Sequence, residues 1–483
     1  MEWKKEKYAR KSDDESMTGK KINILCSVVD RASQNIKEHL LQNEQWKQVD
    51  ELPDKWENLE SVYENPKYRI IEIKEHHIYQ DRIDEKMKCF GFETDLIIVA
   101  SKHKSNDGRS VLTAHFTGNS NDASFGGRPR ELSIPATQIM RSVLKNMERM
   151  AKNTHYSINM ESTHHGPTDM KTPMVYVEIG SGEEQWPDPV AGDIIAKAIM
   201  KARSEEVPVA IGFGGGHYAS RQTELILETE VTFGHNFPDY QLPHVDKSMV
   251  LQAYEKSKAN FVYFDRKSMS SKERERLYKI VEELGYVHLR ESEIREIKGI
   301  PWKLFTKIKK MCDELCPEGK LKITDSPIEA FESIYASIEN EEDIELSTCM
   351  INEELLKETI KADRDKTICA FNQYAPIYIE MKNGTISNYI LGMGEDTETA
   401  MQNVTNECIK ILKEHYEIKY ILDENILYII SNKFDPKAAK EFGISPGPML
   451  GELANGKSVV VEGRTIEPEM VHIRKTKKIL LSN

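Results

Sequence analysis

The sequence predicts an α/β protein, a mixed-sheet domain followed by a C-terminal α+β extension, and three observations carry that reading. Short apolar strands alternate with helices of 3.6-residue periodicity from residue 21 to about residue 292, the pattern that builds a parallel or mixed sheet with helices packed on it. The 483 residues are too many for one ordinary core, so two or three domains are expected. Beyond residue 292 the alternation gives way to capped helices and hairpin-like pairs.

Residues 1–20 are charged and polar with no apolar run, and read as a flexible tail. Lys21-Ile-Asn-Ile-Leu-Cys-Ser is a strand, and Ser33-Gln-Asn-Ile-Lys-Glu-His-Leu-Leu a helix. Further strands are expected over 69–73, 96–100, 174–179 and 207–211, with helices over 136–152 and 190–203. A last βαβ unit runs through Val262-Tyr-Phe-Asp, a helix over 271–284 and a strand over 286–289, closing a domain of residues 21–292.

A second region, 293–433, opens on a basic segment: seven lysines face three acids between residues 297 and 322. Lys303, Lys307 and Lys310 fall on one helical face opposite Leu304, Ile308, Met311 and Leu315. Such a helix is either a solvated face packed on a domain or a strip that contacts phosphates, and both readings stay open. Ser326-Pro-Ile-Glu, a capping box with proline at the first helical position, starts a helix to about residue 339, and another is expected over 352–361. Strands over 368–371 and 377–381, a helix over 396–416 and a hairpin-like pair around Asp423-Glu-Asn complete a small module without a catalytic constellation. The final segment, 434–483, starts with a helix capped by Asp435 and closed by Gly443, and carries a hairpin over 459–464.

The net charge of −13 argues against indiscriminate polyanion binding while leaving room for a local basic stripe. Seven scattered cysteines without a CxxC pair exclude a disulfide framework or four-cysteine zinc site as the expected chemistry. No run approaches the roughly 18 apolar residues of a membrane span. A cytoplasmic protein, monomer or small homo-oligomer, with no membrane partner is therefore expected.

Half of the 14 histidines lie between residues 103 and 235: His103, His115, His155, His164, His165, His217 and His235. One histidine on an apolar face is usually a satisfied core residue; several beside glycine turns at strand ends point to loops converging on a site, where α/β sheets place ligands. In Glu161-Ser-Thr-His-His-Gly-Pro-Thr, two adjacent imidazoles precede a turn and project differently, one toward a metal and one toward substrate or behind the ligands. Glu178, on the otherwise apolar Met174-Val-Tyr-Val-Glu-Ile, needs a cation, metal or hydrogen-bond partner if buried. The run Val209-Ala-Ile-Gly-Phe-Gly-Gly-Gly-His-Tyr sets a strand before a turn in which Gly214, Gly215 and Gly216 let a ligand approach the backbone, with His217 and Tyr218 beside it. The dinucleotide fingerprint fails because its third glycine position holds His217, and no P-loop lysine follows; a tight turn with a capping histidine is the competing reading.

Ser101-Lys-His-Lys-Ser adds Lys102 and Lys104 for phosphate, and His115-Phe-Thr-Gly-Asn adds Thr117 and Asn119 as donors to a carbonyl oxygen. No G-x-S-x-G elbow exists and no cysteine lies between residues 90 and 311, so activated water is favoured over a covalent nucleophile. The candidate metal ligands are His164, His165, Glu178, His217 and His235; the catalytic candidates are His164, His165, His217, His115 and Thr117. Substrate contacts are expected from Lys102, His103, Lys104, Asn119, Gly214, Gly215, Gly216 and Tyr218. Which histidines touch metal stays open.

These motifs, with Val177-Glu-Ile-Gly-Ser-Gly-Glu-Glu-Gln-Trp and Phe233-Gly-His, resemble in order those of the archaeal and plant type of D-aminoacyl-tRNA deacylase, over roughly residues 21–290. The resemblance implies a zinc-requiring enzyme that hydrolyses D-aminoacyl-tRNA to D-amino acid and tRNA in translation quality control, on a fold similar to peptidyl-tRNA hydrolases and nucleoside phosphorylases. The alternatives are another hydrolase on that fold, acting on peptidyl-tRNA or nucleosides, and a non-catalytic tRNA-binding module. The stretch from Gly443-Ile-Ser-Pro-Gly-Pro-Met-Leu-Gly to Gly463-Arg-Thr-Ile-Glu-Pro resembles a segment of tRNA 3′-processing nucleases, without their H-x-H-x-D-H signature.

Overall fold

The computed structural model describes residues 21–325, 345–394, 396–421 and 424–481. The expected tail over 1–20, the helix expected from Ser326 and part of the Asp423 turn lie outside the described residues. The chain divides into two compact units, Met1–Gly299 and Ile300–Asn483. Among the described residues no helix is long and apolar enough to cross a membrane.

The first unit opens with β1 (Ile22–Ser27), α1 (Arg31–Asn43), β2 (Lys47–Gln48), β3 (Leu59–Glu64), β4 (Tyr68–Ile73), α2 (Ile83–Cys89), β5 (Ile97–Lys102) and β6 (Val111–His115). A ribbon of β7 (Gly118–Asn119) and β8 (Glu131–Leu132) precedes α3 (Thr137–Ala151), β9 (Ser157–Met160), β10 (Met174–Gly180) and α4 (Pro189–Met200). Eight strands form one sheet in the order β2-β3-β4-β1-β5-β10-β6-β9. Its centre, β4, β1, β5 and β10, is parallel, while β6 runs antiparallel to β10 and parallel to β9, so the sheet is mixed. β1 and β10 are buried along their whole lengths, which is why these strands read as nearly continuous apolar runs. Asp30 and Asp188 start α1 and α4 by accepting amides of their first turns.

Register decides where the sheet turns polar. Tyr176 lies opposite Val99 and His115, and Glu178 opposite Ser101 and Thr113. Side chains alternate along a strand, so all six share one face. One end of that face, with Ile97, Val99, Met174 and Tyr176, packs into a core containing Trp56 and Ile71. The other end presents Glu178, Thr113 and Ser101.

The remaining strands of this unit form a second sheet. It is built from β11 (Val209–Phe213), α5 (Ser220–Glu228), β12 (Thr232–Phe237), α6 (Lys247–Ser257), β13 (Phe261–Phe264), α7 (Ser271–Glu283) and β14 (His288–Leu289). The strands run parallel in the order β12-β11-β13-β14. The sequence suggested that they extend a single sheet; both edges of β10 are already taken by β5 and β6, and β11 pairs with β12 and β13 instead.

In the second unit, helix Trp302–Leu315 buries Leu304, Phe305, Ile308 and Cys312 and exposes Lys303, Lys307 and Lys310. The strand expected over 368–371 is instead the middle of helix Arg364–Tyr374. Asp363 caps that helix, and Thr367, Ala370 and Phe371 are buried at helical spacing; four consecutive apolar residues had suggested a strand. The hairpin near residue 459 is present as Val459–Val461 paired with Arg464–Ile466.

Candidate active site

Seven acidic and imidazole side chains converge where β5, β6, β9, β10 and β11 deliver their loops. His103 follows β5 and His115 ends β6. Glu161 follows β9, its amide bonded to the Ala114 carbonyl at 3.0 Å. Glu178 lies within β10, and His217 follows the glycine turn after β11. The strap carrying His164 and His165 is stitched in place by Gly118, whose amide donates to the His165 carbonyl at 2.8 Å, and by bonds from Ser162 to His217 and from Thr163 to Asn236.

Three sets of ligand atoms lie within 4.8 Å of one another: His115, His164 and His165; His103, Glu161 and His217; and His115, Glu161 and Glu178. Main-chain carbonyls fix the first set. Nδ1 of His115 faces the Phe116 carbonyl at 3.2 Å, that of His164 the Ser162 carbonyl at 2.8 Å, and that of His165 the Gly166 carbonyl at 2.7 Å. A carbonyl only accepts, so each Nδ1 carries a proton and each ring turns its Nε2 toward the cluster. Burial, reinforced by the charge of His115, holds His164 and His165 well below the usual imidazole range. They stay neutral, as metal ligation requires.

Glu161 is the side chain that points most directly to a cation. It is fully buried, and among the described residues neither carboxylate oxygen has a hydrogen-bond partner. Yet Nδ1 of His103 lies 3.1 Å from one oxygen and Nε2 of His217 lies 2.9 Å from the other. Contacts this short without hydrogen-bond alignment fit groups that point their lone pairs at a common cation. Burial alone raises a carboxyl pKa, but His103 and His217 outweigh it and hold Glu161 well below the carboxylate range. Burial likewise opposes charge on His103 and His115, and the facing carboxylates, Glu161 and Glu178 respectively, raise both. Glu178 sits 3.7 Å from His115 and 3.8 Å from His103. The donors, five imidazoles and two carboxylates with an orphaned buried anion among them, fit a divalent cation such as zinc.

Not every candidate joins this cluster. His235 is buried with both ring nitrogens engaged elsewhere, by the Ser133 carbonyl at 3.0 Å and Thr163 at 3.1 Å, and burial lowers it to about 3. His155 is exposed and meets the Tyr156 ring at a tilted angle. Thr117 donates its hydroxyl to the Pro167 carbonyl at 2.5 Å, and Asn119 gives its amide to the Gly126 and Arg128 carbonyls, so both brace loops. Gly214 and Gly215 take left-handed φ values of 94° and 82°, which glycine alone adopts readily. Their amides are already committed to the Phe237 carbonyl and the Ser268 hydroxyl; among the described residues the Gly216 amide has no such bond. Tyr218 meets Nε2 of His103 at 2.8 Å. The Lys102 ammonium lies over Trp186, and Lys104 is exposed. Glu161 was not among the ligands read from the sequence, although it opens the motif that contains His164 and His165. Its signal was a carboxylate ending the alternating Ser157-Ile-Asn-Met.

A family model described as D-aminoacyl-tRNA deacylase matches residues 90–289, a span that holds all seven cluster residues. The D-aminoacyl-tRNA deacylase of Methanococcoides burtonii is 44% identical over 471 residues, covering 97% of this chain and 98% of that protein. The chain belongs to the D-aminoacyl-tRNA deacylase family. The Methanosarcina acetivorans protein of the same name is 50% identical over 293 residues, covering 60% of this chain and 98% of its own length. Family members thus come in a short and a long form, and this chain has the long one. Among solved structures, a crystal structure of a conserved protein of unknown function is similar with a TM-score of 0.53 and 36% identity, covering 57% of this chain and 97% of that chain.

Proposed function

We propose that the chain hydrolyses the ester bond of D-aminoacyl-tRNA, releasing D-amino acid and tRNA, with zinc held by the histidine and glutamate cluster. Family membership supplies the reaction, and the observation that supports the metal is Glu161, buried, unpartnered and approached by two ring nitrogens. His103, His217 and Glu161 form one candidate ligand set and His115, His164 and His165 another, with Glu178 between His103 and His115. When bound, zinc supplies Lewis-acid polarisation and water activation at neutral pH. An aminoacyl ester is an activated acyl donor, so the chain's own task is to position it and exclude alternatives. Tyr218 and the Trp186 indole, which donates to the His103 carbonyl at 2.9 Å, fix His103 against Glu161. The Gly216 amide is the member of the glycine turn left to meet an oxyanion.

We assign the chemistry to residues 21–292 and read 293–433 and 434–483 as accessory, in a cytoplasmic enzyme of translation quality control. The mixed sheet with a parallel centre and its site at strand ends supports a relation to the peptidyl-tRNA hydrolase and nucleoside phosphorylase folds. Incubation with D-tyrosyl-tRNA and L-tyrosyl-tRNA, with and without chelator, tests the reading. The expected result is D-selective release that chelation abolishes and zinc restores. Equal release of both enantiomers would refute the substrate, and chelator-resistant release the metal.

A further inference from the structure

Three exposed aromatic rings, Phe125 on a loop and Tyr79 and Tyr240 on short 3-10 helices, frame the His164-His165 strap, outside the ligand cluster. Phe125 is 67% exposed, Tyr79 59% and Tyr240 57%. Rings of this size are ordinarily drawn into cores or interfaces. Short bonds tie the Phe125 and Tyr240 segments to the strap, and the Tyr79 segment packs against the first of these. The Gly166 amide donates to the Phe125 carbonyl at 3.0 Å, one residue beyond His165. Gly126 crosses the Tyr79 loop so closely that a Cβ there would lie 2.1 Å from the Ile78 carbonyl oxygen and 3.2 Å from the Tyr79 ring. On the other side, the Asp239 amide donates to the Gly215 carbonyl at 2.9 Å, and Gln241 donates to the Thr163 carbonyl at 3.2 Å. Tyr240 is thereby held between the glycine turn and the strap. Ser120 donates to Gln241 at 3.1 Å, so the 120–130 loop links the two tyrosine loops while carrying Phe125.

Charge accompanies the rings. Arg82, three residues after Tyr79, and Arg128, three after Phe125, both pair with Asp169 on the same strap, and each side chain stays more than half exposed. Aromatic planes interleaved with exposed guanidiniums are how proteins take single-stranded nucleic acid, the rings stacking on bases and the cations following phosphates. The aminoacylated end of a tRNA is unpaired, so its last bases must approach the ester site as single strand.

We propose that Tyr79, Phe125 and Tyr240 form a stacking rim for the unpaired 3′-terminal bases of the RNA, with Arg82 and Arg128 beside it for the connecting phosphates. The proposal rests on tRNA being the substrate, and its test keeps the two separable. Binding of a labelled cytidyl-cytidyl-adenosine trinucleotide RNA to the full chain is followed by fluorescence anisotropy, alongside KM and kcat for D-tyrosyl-tRNA and D-alanyl-tRNA. Phe125→Ala and Tyr240→Ala each weaken trinucleotide binding and raise KM roughly 5- to 100-fold, with kcat and the melting temperature nearly unchanged. Phe125→Trp restores binding, whereas Phe125→Leu, apolar but without a π face, does not. Unchanged binding and KM in both alanine variants, full function of Phe125→Leu, or a loss that follows the amino acid instead of the RNA would overturn the rim. A wild-type chain that binds the trinucleotide but releases no D-amino acid would overturn the deacylase reading and leave the rim standing.

Discussion

Gly180 ends β10 where His103 passes over it, and Gly180→Ala should disable the site without dismantling the fold. A methyl group at residue 180 would lie 2.7 Å from Cδ2 of His103 and 2.9 Å from its Cβ, the shorter contact roughly 0.8 Å inside ordinary carbon contact. His103 has little freedom to retreat. Its amide donates to the Ile179 carbonyl at 2.9 Å, its carbonyl accepts from Trp186 at 2.9 Å, and Nε2 meets Tyr218 at 2.8 Å. The ring must therefore shift against Glu161. Overpacking of this kind costs about 1–3 kcal/mol of stability, while displacing a site group by about 1 Å costs about 100-fold in rate, or about 2.7 kcal/mol of barrier. Gly182→Ala is the control, because its nearest neighbour is the flexible Gln185 side chain at 3.4 Å. The assay is kcat/KM on D-tyrosyl-tRNA with zinc content and urea midpoint measured on the same preparations. Gly180→Ala should fold cooperatively, lose zinc and fall about 100-fold, with Gly182→Ala within about twofold of wild type. Wild-type kcat/KM in Gly180→Ala would refute the placement of His103.

Glu161→Gln keeps the shape and removes the charge; metal affinity should fall by about 10-fold or more and kcat/KM by about 100-fold, and full zinc occupancy after dialysis would remove Glu161 from the ligands. Glu72 is buried, and although burial opposes it, bonds from Lys37, Ser61 and Gln34 hold its carboxyl below the ordinary value of 4.5. A depressed carboxyl contributes stability that is fully present above its unfolded pKa and lost as pH falls through the folded one, so the urea-midpoint gap between wild type and Glu72→Gln should be present at neutral pH and shrink below 4.5; a gap that widens in acid would contradict this. Burial pushes the Cys26 and Cys408 thiols up to about 12, whereas Cys89 and Cys369 are exposed. Iodoacetamide in mildly alkaline buffer should label the latter pair first, and equal labelling of Cys26 by peptide mass mapping would count against the native packing.

Much of this architecture could be read locally. Apolar runs placed β1, β5 and β10, and helical periodicity placed α1 and α4, because both signals lie within a few residues of what they specify. Strand pairing is not local, so the strand runs around β11 read as a continuation of the first sheet although they form a second. The same limit applied to side chains. His235 and His217 each stand beside glycine, yet one ring faces Ser133 and the other Glu161, a difference set by which strand lies opposite. Glu161 went unread for a related cause: its burial depends on the pairing of β9 with β6 and on a bridge to Tyr218, neither visible in Met160-Glu-Ser-Thr. The helix over 368–371 was missed because a short apolar run fits strand and buried helix alike.

The three rings whose Nδ1 atoms face main-chain carbonyls carry a consequence for how this site tolerates change. No codon substitution can delete a backbone oxygen, so the proton placement on His115, His164 and His165 belongs to the path of the chain and not to any neighbouring side chain. Residues around them can drift in sequence while those Nε2 atoms keep their aim. The vulnerability moves to the path itself. His164 and His165 share one strap, so an insertion or a shift of a single residue there would re-aim both rings together.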